Sequence, residues 1–325
     1  MGLSQLSSSF FFGASTPNFK RFKHIGLIKT SSKSDLITDS AAGATAFSAG
    51  IKTYNRAIGI DMDTLAVKLI PEVIDSNISS GVISTSSITH ATPASFYAHV
   101  KTRKLEEDIA TFLPKSPIDF FAGGGKKFFF KRKDNANLSK DFQNANFVID
   151  TISLKKPSVS EFNLSSKFGF LLADNAMPKA SEGRGDFLPS ATQIGLDYLS
   201  QNKRGFFLMV EGSQIDWGGH SNDSDYIVQE VLDFDMAIGK ALDFAEKDGN
   251  TLVVVTADHE TGGYTLASND GDYNKIKGSF STSGHSATLI PVLSYGPGSE
   301  DFIGFYENND IFHKIMKVTN WASSL

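Results

Sequence analysis

The stretch NTLVVVTADHETGG, residues 250–263, places an apolar run directly before an acid and a histidine, Asp258 and His259. A short apolar run bounded by turn residues is typical of a buried β-strand. Residues 226–247 before it carry apolar side chains at helical spacing, and the DGN turn at 248–250 separates the two patterns. This region therefore predicts a helix, followed by a buried strand whose carboxyl end presents polar side chains.

Four further apolar runs have the same character: GVISTSS from Gly81, IDFFAGGG from Ile118, GFFLMVEG from Gly205 and ATLIPVLSYGPG from Ala287. Such runs are typical of parallel strands that are covered on both faces. Helical patterns alternate with them, at residues 190–199 and in the small-residue stretch that begins at Ser40. This alternation predicts a doubly wound α/β sheet, mostly parallel and flanked by helices. We expect one domain over residues 1–325, with a peripheral excursion near residues 130–165.

The composition of the 325-residue chain excludes several kinds of site and partner. The formal net charge of −5 and the pI of about 5.8 give no indication of a nucleic-acid partner. No apolar run approaches the ~20 residues that a membrane-spanning helix needs. Cysteine is absent, so a metal ion would be held by histidine, carboxylate or hydroxyl ligands.

Three polar clusters adjoin the predicted strands, where ligands of open α/β sheets bind. In VEGSQIDWGGHSND, Glu211 lies at a strand end, and Asp216 precedes His220 by four residues, a spacing at which both reach one ion. The acid and histidine of the first stretch follow a strand, and His285 precedes one. Taken singly, these clusters also fit a polar surface loop, a helix cap and an exposed histidine. Together they suit two zinc ions of a two-metal hydrolase.

A candidate nucleophile lies in SDLITDSAAGATAFSAG, where Ser40 follows Asp39 and begins a helix of small residues. A helix N-terminus attracts a phosphoryl group through its free N–H groups and its dipole. The alternative is that Asp39 or Ser40 only caps a packing helix. In SSITHATPASFYAHVKTRK, Thr92 offers a hydroxyl to a hard cation. Arg103 offers a planar fork to two phosphate oxygens.

These stretches, in their order along the chain, resemble the alkaline phosphatase family over almost the whole length, and look most like its compact, cold-active bacterial members. TDSAAGATAFSAGIKTYN and TADHETGG are the most specific motifs. The resemblance implies hydrolysis of phosphate monoesters to inorganic phosphate, with Ser40 as the nucleophile that forms a phosphoserine and Arg103 as the phosphate clamp. It implies these metal ligands: Asp216, His220 and His285 for a first zinc ion, Asp258 and His259 for a second, and Thr92 and Glu211 for magnesium. His90, Trp217 and Asp39 match positions that surround the ligands.

The resemblance also implies a homodimer that is periplasmic or secreted, although the opening MGLSQLSSSFFF lacks the pattern of a signal peptide. The family begins its sheet with an apolar strand ending in Asp-Gly, and that acid bridges the second zinc and the magnesium. Met1 and Gly2 resemble the residues just after it, so we expect this strand and its ligand to be missing here. One hypothesis is a phosphatase with a late-starting sequence; the other is a truncated, non-catalytic remnant that binds phosphate or metal. A sulfatase relative fits less well because its nucleophile motif is lacking, and a phosphodiesterase relative because that class generally uses threonine as nucleophile and lacks the Arg103 pattern.

Overall fold

The computed structural model describes residues 1–155 and 166–321 of the chain. Within them the α-helices are α1 (Leu3–Phe12), α2 (Ser40–Ala49), α3 (Ile70–Val73), α4 (Ala91–Ala94), α5 (Glu106–Phe112), α6 (Lys126–Phe130), α7 (Ser139–Asn144), α8 (Phe187–Leu199), α9 (Gln214–His220), α10 (Ser224–Asp248) and α11 (Asp310–Thr319). The strands are β1 (His24–Lys29), β2 (Ser79–Ser87), β3 (Phe120–Gly124), β4 (Phe147–Asp150), β5 (Lys167–Leu171), β6 (Phe206–Glu211), β7 (Val253–Val255), β8 (Glu260–Thr261), β9 (Thr265–Asn269), β10 (Asp272–Ser279), β11 (His285–Ser286), β12 (Ile290–Tyr295) and β13 (Gly304–Glu307). None of the helices in these residues has both the length and the apolar character that crossing a membrane requires.

Most of the described strands belong to two sheets. One has the order β4-β5-β3-β2-β6, and all its neighbours run parallel. The other has the order β13-β1-β12-β7, in which β12 runs antiparallel to both neighbours. The predicted α/β fold with a mostly parallel sheet is confirmed. The prediction that the run from Ala287 is a parallel strand is wrong: β12 is buried, and an unbroken apolar run reports burial on both faces rather than strand direction.

Helices cover both faces of the sheets, and side chains along β6 alternate between the two layers. Leu208 packs in the core formed with α8 and α10, whereas Met209 packs in the opposite core, which includes residues of α2, α4 and α11. The amphipathic pattern at residues 226–247 becomes α10, whose N-cap Asp223 accepts a hydrogen bond from the N–H of Tyr226. The DGN turn ends this helix at Gly249, which has a φ of 69°.

The stretch near residues 130–165 reaches the edge of the five-stranded sheet. α7 packs Phe142 into the core, and β4 is the edge strand beside β5. Residues 156–165 lie outside the described residues. The single-domain assignment stays a prediction.

The carboxyl ends of β2, β6 and β7 lead into one region of the molecule. β6 ends at Glu211 and continues into α9, β2 leads into α4, and Asp258 follows β7. β6 and β7 are each the last strand of their sheet, and a cleft of about 700 Å³ lies between them. The candidate site is at one end of this cleft.

Candidate active site and metal centre

Ser40 lies at the N-terminus of α2, among small residues. Asp39 precedes the helix in an extended conformation, and its Oδ1 accepts a 3.1 Å hydrogen bond from the N–H of Ala42. Gly43 faces Asp258, and a Cβ atom on this glycine would lie 2.8 Å from the Cβ of that aspartate. The close approach of α2 to the segment after β7 therefore requires a very small residue at this position.

The Ser40 hydroxyl is buried and faces an imidazole–carboxylate pair. Its Oγ lies 3.1 Å from His259 Nε2, and the same nitrogen lies 3.2 Å from Asp258 Oδ2. Burial opposes the charge on His259, but contact with Asp258 outweighs it and raises the pKa of the imidazole. Burial likewise opposes the charge on Asp258, but His259 holds the pKa of this carboxyl well below its usual range. The serine therefore faces a carboxylate that stays ionised.

Asp216, His220 and His285 bring three ligand atoms within 4.8 Å of one another. His220 Nε2 lies 3.4 Å from Asp216 Oδ1, and His285 Nε2 lies 3.6 Å from the same oxygen. The other nitrogen of each ring contacts a carbonyl: His220 Nδ1 lies 2.7 Å from the oxygen of Ser283. His285 Nδ1 lies 2.8 Å from the oxygen of Thr38. Such a bond holds the proton on Nδ1 and leaves the Nε2 lone pair for a cation, so these residues fit a zinc ion.

Thr261 contacts both the Asp258–His259 pair and the group of Asp216, His220 and His285. Sequence reasoning missed this residue. The rings of His259 and His285 stack with their centroids 3.5 Å apart. Thr261 Oγ1 lies 3.1 Å from His259 Nδ1 and donates a hydrogen bond to Asp216. The signal was available in TADHETGG, where this threonine stands two residues after His259. A hydroxyl that contacts one ligand from each group fixes their relative orientation.

Glu211 lies deep in the site beside hydroxyl groups. Its Oε2 accepts a 2.6 Å hydrogen bond from Ser84 Oγ, and Thr92 also bonds this carboxyl. Burial raises the pKa of Glu211 to about 7, against the lowering effect of these bonds. An oxygen-only pocket of this kind suits a hard cation such as magnesium.

Arg103 contacts Asp39, the residue that precedes the serine. Its Nη1 lies 3.2 Å from Asp39 Oδ2, and its Nη2 lies 3.0 Å from His90 Nε2. Burial and the nearby guanidinium lower the pKa of His90 to about 4, so this ring is a neutral acceptor for Arg103. The edge of His90 meets Trp217 with ring centroids 5.9 Å apart. Asp39 therefore caps α2 and also orients the arginine.

The structure brings the predicted site residues together, but it supports the three metal sites unequally. In the described residues, Asp216, His220 and His285 are the only group of three or more His or carboxylate side chains close enough for one ion. The pair Asp258 and His259 supplies two such ligands, fewer than the four that zinc commonly takes. The ligand assignments therefore stay predictions of the sequence.

The fold and these residues define an α/β protein with a candidate nucleophile, Ser40, beside a candidate metal centre. The family model "Alkaline phosphatase" matches residues 5–279. The chain is 39% identical to alkaline phosphatase 4 of Bacillus subtilis over 88% of its own length and 63% of the relative's. This chain belongs to the alkaline phosphatase family. It spans less than two thirds of the length of that Bacillus relative.

Two solved structures resemble this one closely. The first is a variant of the alkaline phosphatase from the Antarctic bacterium TAB5, with magnesium bound in its M3 site. It is 58% identical, has a TM-score of 0.96, and the match covers 99% of this chain and 95% of that one. The second is a cold-active alkaline phosphatase from a psychrophilic Shewanella, 28% identical with a TM-score of 0.87. This match covers 98% of this chain and 97% of that one.

Proposed function

We propose that this protein hydrolyses phosphate monoesters through a phosphoserine intermediate on Ser40. One observation carries the proposal: Ser40 Oγ lies at the N-terminus of α2, 3.1 Å from the buried His259 and beside partly buried carboxylates and imidazoles. Family membership supports the same reaction. The helix N–H groups and dipole favour a phosphoryl group at this position.

The metal content that we propose is two zinc ions and one magnesium ion. Asp216, His220 and His285 would hold one zinc, and Asp258 and His259 would contribute to the second. Thr92 and Glu211 would contribute to the magnesium site, and the TAB5 variant has magnesium bound in its own M3 site. When bound, these cations neutralise the doubly charged ester and favour the ionised form of a hydroxyl nucleophile.

The side chains of the protein divide the reaction between them. Ser40 Oγ attacks phosphorus, the ester P–O bond breaks, and the alcohol leaves with the proton that the serine hydroxyl gives up. A water molecule then attacks the phosphoserine, the P–Oγ bond breaks, one water proton returns to Ser40 Oγ, and inorganic phosphate is released. Arg103, oriented by Asp39 and His90, binds two phosphate oxygens and holds the phosphoryl group in line with the serine.

The test replaces Ser40 with alanine and follows p-nitrophenyl phosphate hydrolysis with zinc and magnesium added. We expect the Ser40→Ala variant to lose about 10³-fold or more in kcat, because it has no nucleophile. Zinc content should stay unchanged, and mass spectrometry should find phosphate on Ser40 only in the parent protein. Ser48→Ala, on the same helix and also buried, is the matched control and should keep full turnover. Equal turnover in Ser40→Ala would contradict the proposal. Metal binding without any turnover in the parent would support the non-catalytic remnant.

We also propose a cold-adapted homodimer that acts in the periplasm or outside the cell. Both solved relatives come from cold-living bacteria by their descriptions, which supports cold adaptation. Exposed apolar side chains on β1 and near β13 support a dimer: Ile25, Ile303 and Phe305 are 56%, 52% and 77% exposed. A monomer mass by light scattering would reject the dimer.

A further inference from the structure

Arg56, in the segment that follows α2, has a backbone conformation that is unusual for its residue type. Its φ of 80° lies in the left-handed region, which favours glycine and strains a residue with a side chain. Seven described non-glycine residues have a positive φ, and five of them are asparagine or aspartate, which tolerate it best. The other exception, Thr64, lies in a separate turn between Asp61 and Leu65. Arg56 therefore carries a long charged side chain where the backbone alone would favour glycine.

Two hydrogen bonds fix the backbone of Arg56 against the candidate site. Its N–H donates to Asp39 Oδ1 over 2.8 Å, and its carbonyl oxygen accepts a 2.9 Å bond from the N–H of Arg103. Asp39 is the N-cap of α2 and precedes Ser40. Its other carboxylate oxygen pairs with the guanidinium of Arg103. The backbone of Arg56 is therefore one hydrogen bond away from each member of the Asp39–Arg103 pair.

The side chain of Arg56 differs from that of Arg103 in having no partner. It is the only exposed residue in the range 51–60, and within residues 1–155 and 166–321 its guanidinium forms no ion pair or hydrogen bond. The two terminal nitrogens of Arg103 contact Asp39 and His90 instead. An exposed, unpaired guanidinium can bind two phosphate oxygens without first giving up an ion pair.

Two more cations accompany Arg56 on the neighbouring segment. Ile58 and Val100 form an antiparallel bridge with a 3.0 Å hydrogen bond in each direction, which brings residues 101–104 alongside residues 54–57. Lys101 and Lys104 are exposed and form no ion pair in the part of the chain that the structure describes. Since Arg103 serves the reacting phosphate in the proposed reaction, these exposed cations can attract a second anionic group of the same ligand.

We propose that Arg56 binds a second phosphate group of the substrate, so that the protein prefers esters whose alcohol part carries another phosphate, such as sugar bisphosphates. This inference rests on the proposed hydrolysis of phosphate monoesters. Arg103 binds the phosphate that reacts, and Arg56 binds the one that does not. The bond between Asp39 and the backbone of Arg56 holds the two arginines at a fixed separation along the chain's surface. Backbone strain at Arg56 is the cost of placing a guanidinium there.

The test compares fructose 1,6-bisphosphate with fructose 6-phosphate, which has the same sugar and one phosphate fewer. Calorimetry measures the binding of both esters to Ser40→Ala protein with zinc and magnesium added, so that no ester is consumed. Initial rates of phosphate release by the parent and its variants give kcat and KM. We expect Arg56→Gly to lower the preference for the bisphosphate about 3- to 10-fold, in affinity and in KM, because an exposed charged contact is lost. The statistical advantage of two phosphates is the same in every variant and cancels.

The variants separate charge from backbone shape. Glycine adopts a φ of 80° without strain, so the melting temperature of Arg56→Gly should not fall. Arg56→Lys keeps the charge and should retain more of the preference than Arg56→Gly. Lys23 is exposed and precedes β1, which runs in the same direction as β7, so it lies at the end of the sheet away from the site. Lys23→Gly removes the same charge and should match the parent.

Three results would overturn the proposal. One is an unchanged preference in Arg56→Gly, and another is a parent that binds both esters equally well. The third is an equal loss of affinity for both esters in Arg56→Gly, because Arg56 would then act on the reacting phosphate or on the shape of the site. If the parent binds the esters but hydrolyses neither, the proposed function fails, and the ratio of the two affinities still decides the role of Arg56.

Discussion

Two groups of charged side chains, one fully buried and one partly buried, differ in the source of their positive charge. The Arg184 cluster, formed by Arg184, Glu230 and Asp233, contains its own cation. Arg184 Nη2 lies 2.5 Å from Glu230 and 2.7 Å from Asp233, and the exposed fractions of the three side chains are 0%, 1% and 4%. The cluster is closed to solvent.

The candidate site gathers carboxylates without an arginine or lysine among them. Asp216, Asp258 and Glu211 lie at the end of the cleft, where imidazoles and hydroxyls are their side-chain partners. Arg103 is paired with Asp39, the residue before the serine, instead. A buried carboxylate without a paired cation is costly. The comparison indicates that the Arg184 cluster serves the fold, and it supports the proposal that the site takes cations from solution.

The largest expected effect comes from removing a carboxylate of the site. Asp216→Asn should lose zinc and about 10³-fold in turnover, because one ligand of the most complete metal group loses its charge. The measurements are zinc per chain and kcat, with the exposed Asp225→Asn as control. Full zinc content in Asp216→Asn would contradict the assignment of Asp216 as a zinc ligand.

Removing the cation of the closed cluster should act on stability instead. Arg184→Met leaves two buried carboxylates unpaired and should lower the free energy of unfolding by about 3–5 kcal/mol. Zinc content should not change. Arg204→Met removes an exposed ion pair with Asp75 and should cost about 1 kcal/mol or less. Urea titrations compare the free energies of unfolding of the two variants. Equal losses in Arg184→Met and Arg204→Met would show that burial of the Arg184 cluster does not matter for stability.

A third substitution tests whether Arg103 serves phosphate binding rather than the stability of the fold. Arg103→Ala should raise KM and the inhibition constant of inorganic phosphate about 10- to 100-fold, because a charged hydrogen-bonding group is lost. Since its side chain is 22% exposed, stability should change far less than in Arg184→Met. Steady-state kinetics provide the test, and tighter phosphate binding in the variant would contradict it.

The smallest effect concerns the pair of His99 and Glu72, whose atoms lie 3.1 Å apart. Burial opposes the charge on His99, but its bonds to Glu72 and Gly59 outweigh burial and raise its pKa above 6.5. The stabilisation is therefore complete below pH 6.5 and is lost as the pH rises through the raised pKa. Burial also opposes the charge on Glu72, yet its bond to His99 lowers its pKa below 4.5. This contribution is present above pH 4.5 and is lost as the pH falls through the lowered pKa.

Unfolding measured below pH 6.5 and at a pH above the raised pKa of His99 tests the pair. His99→Gln should destabilise the protein by about 1 kcal/mol or less, and only at the lower pH. The double variant with Glu72→Gln should lose little more than either single variant, because both remove one interaction. Strictly additive losses would mean that the two residues act separately.

Much of the site was predictable because its residues follow short apolar runs. Strand ends in an α/β sheet converge, so Glu211 and Asp258 could be placed near each other before any contact was known. The link through Thr261 and the two roles of Asp39 were not predictable, since both depend on side-chain contacts between separate segments. The Arg184 cluster was missed entirely. Its arginine and acids are 46 and 49 residues apart in the chain and look like ordinary surface charges.

Local patterns by themselves determined the positions of five strands and three helices, the absence of thiolate ligands, and the candidate residues for binding phosphate and metal. They determine these because period, burial and residue chemistry are properties of short segments. Tertiary structure alone decided that β12 runs antiparallel and that Arg184 pairs with Glu230 and Asp233. These features depend on which distant segments meet, and a buried strand has the same apolar pattern whichever neighbour it pairs with or lacks.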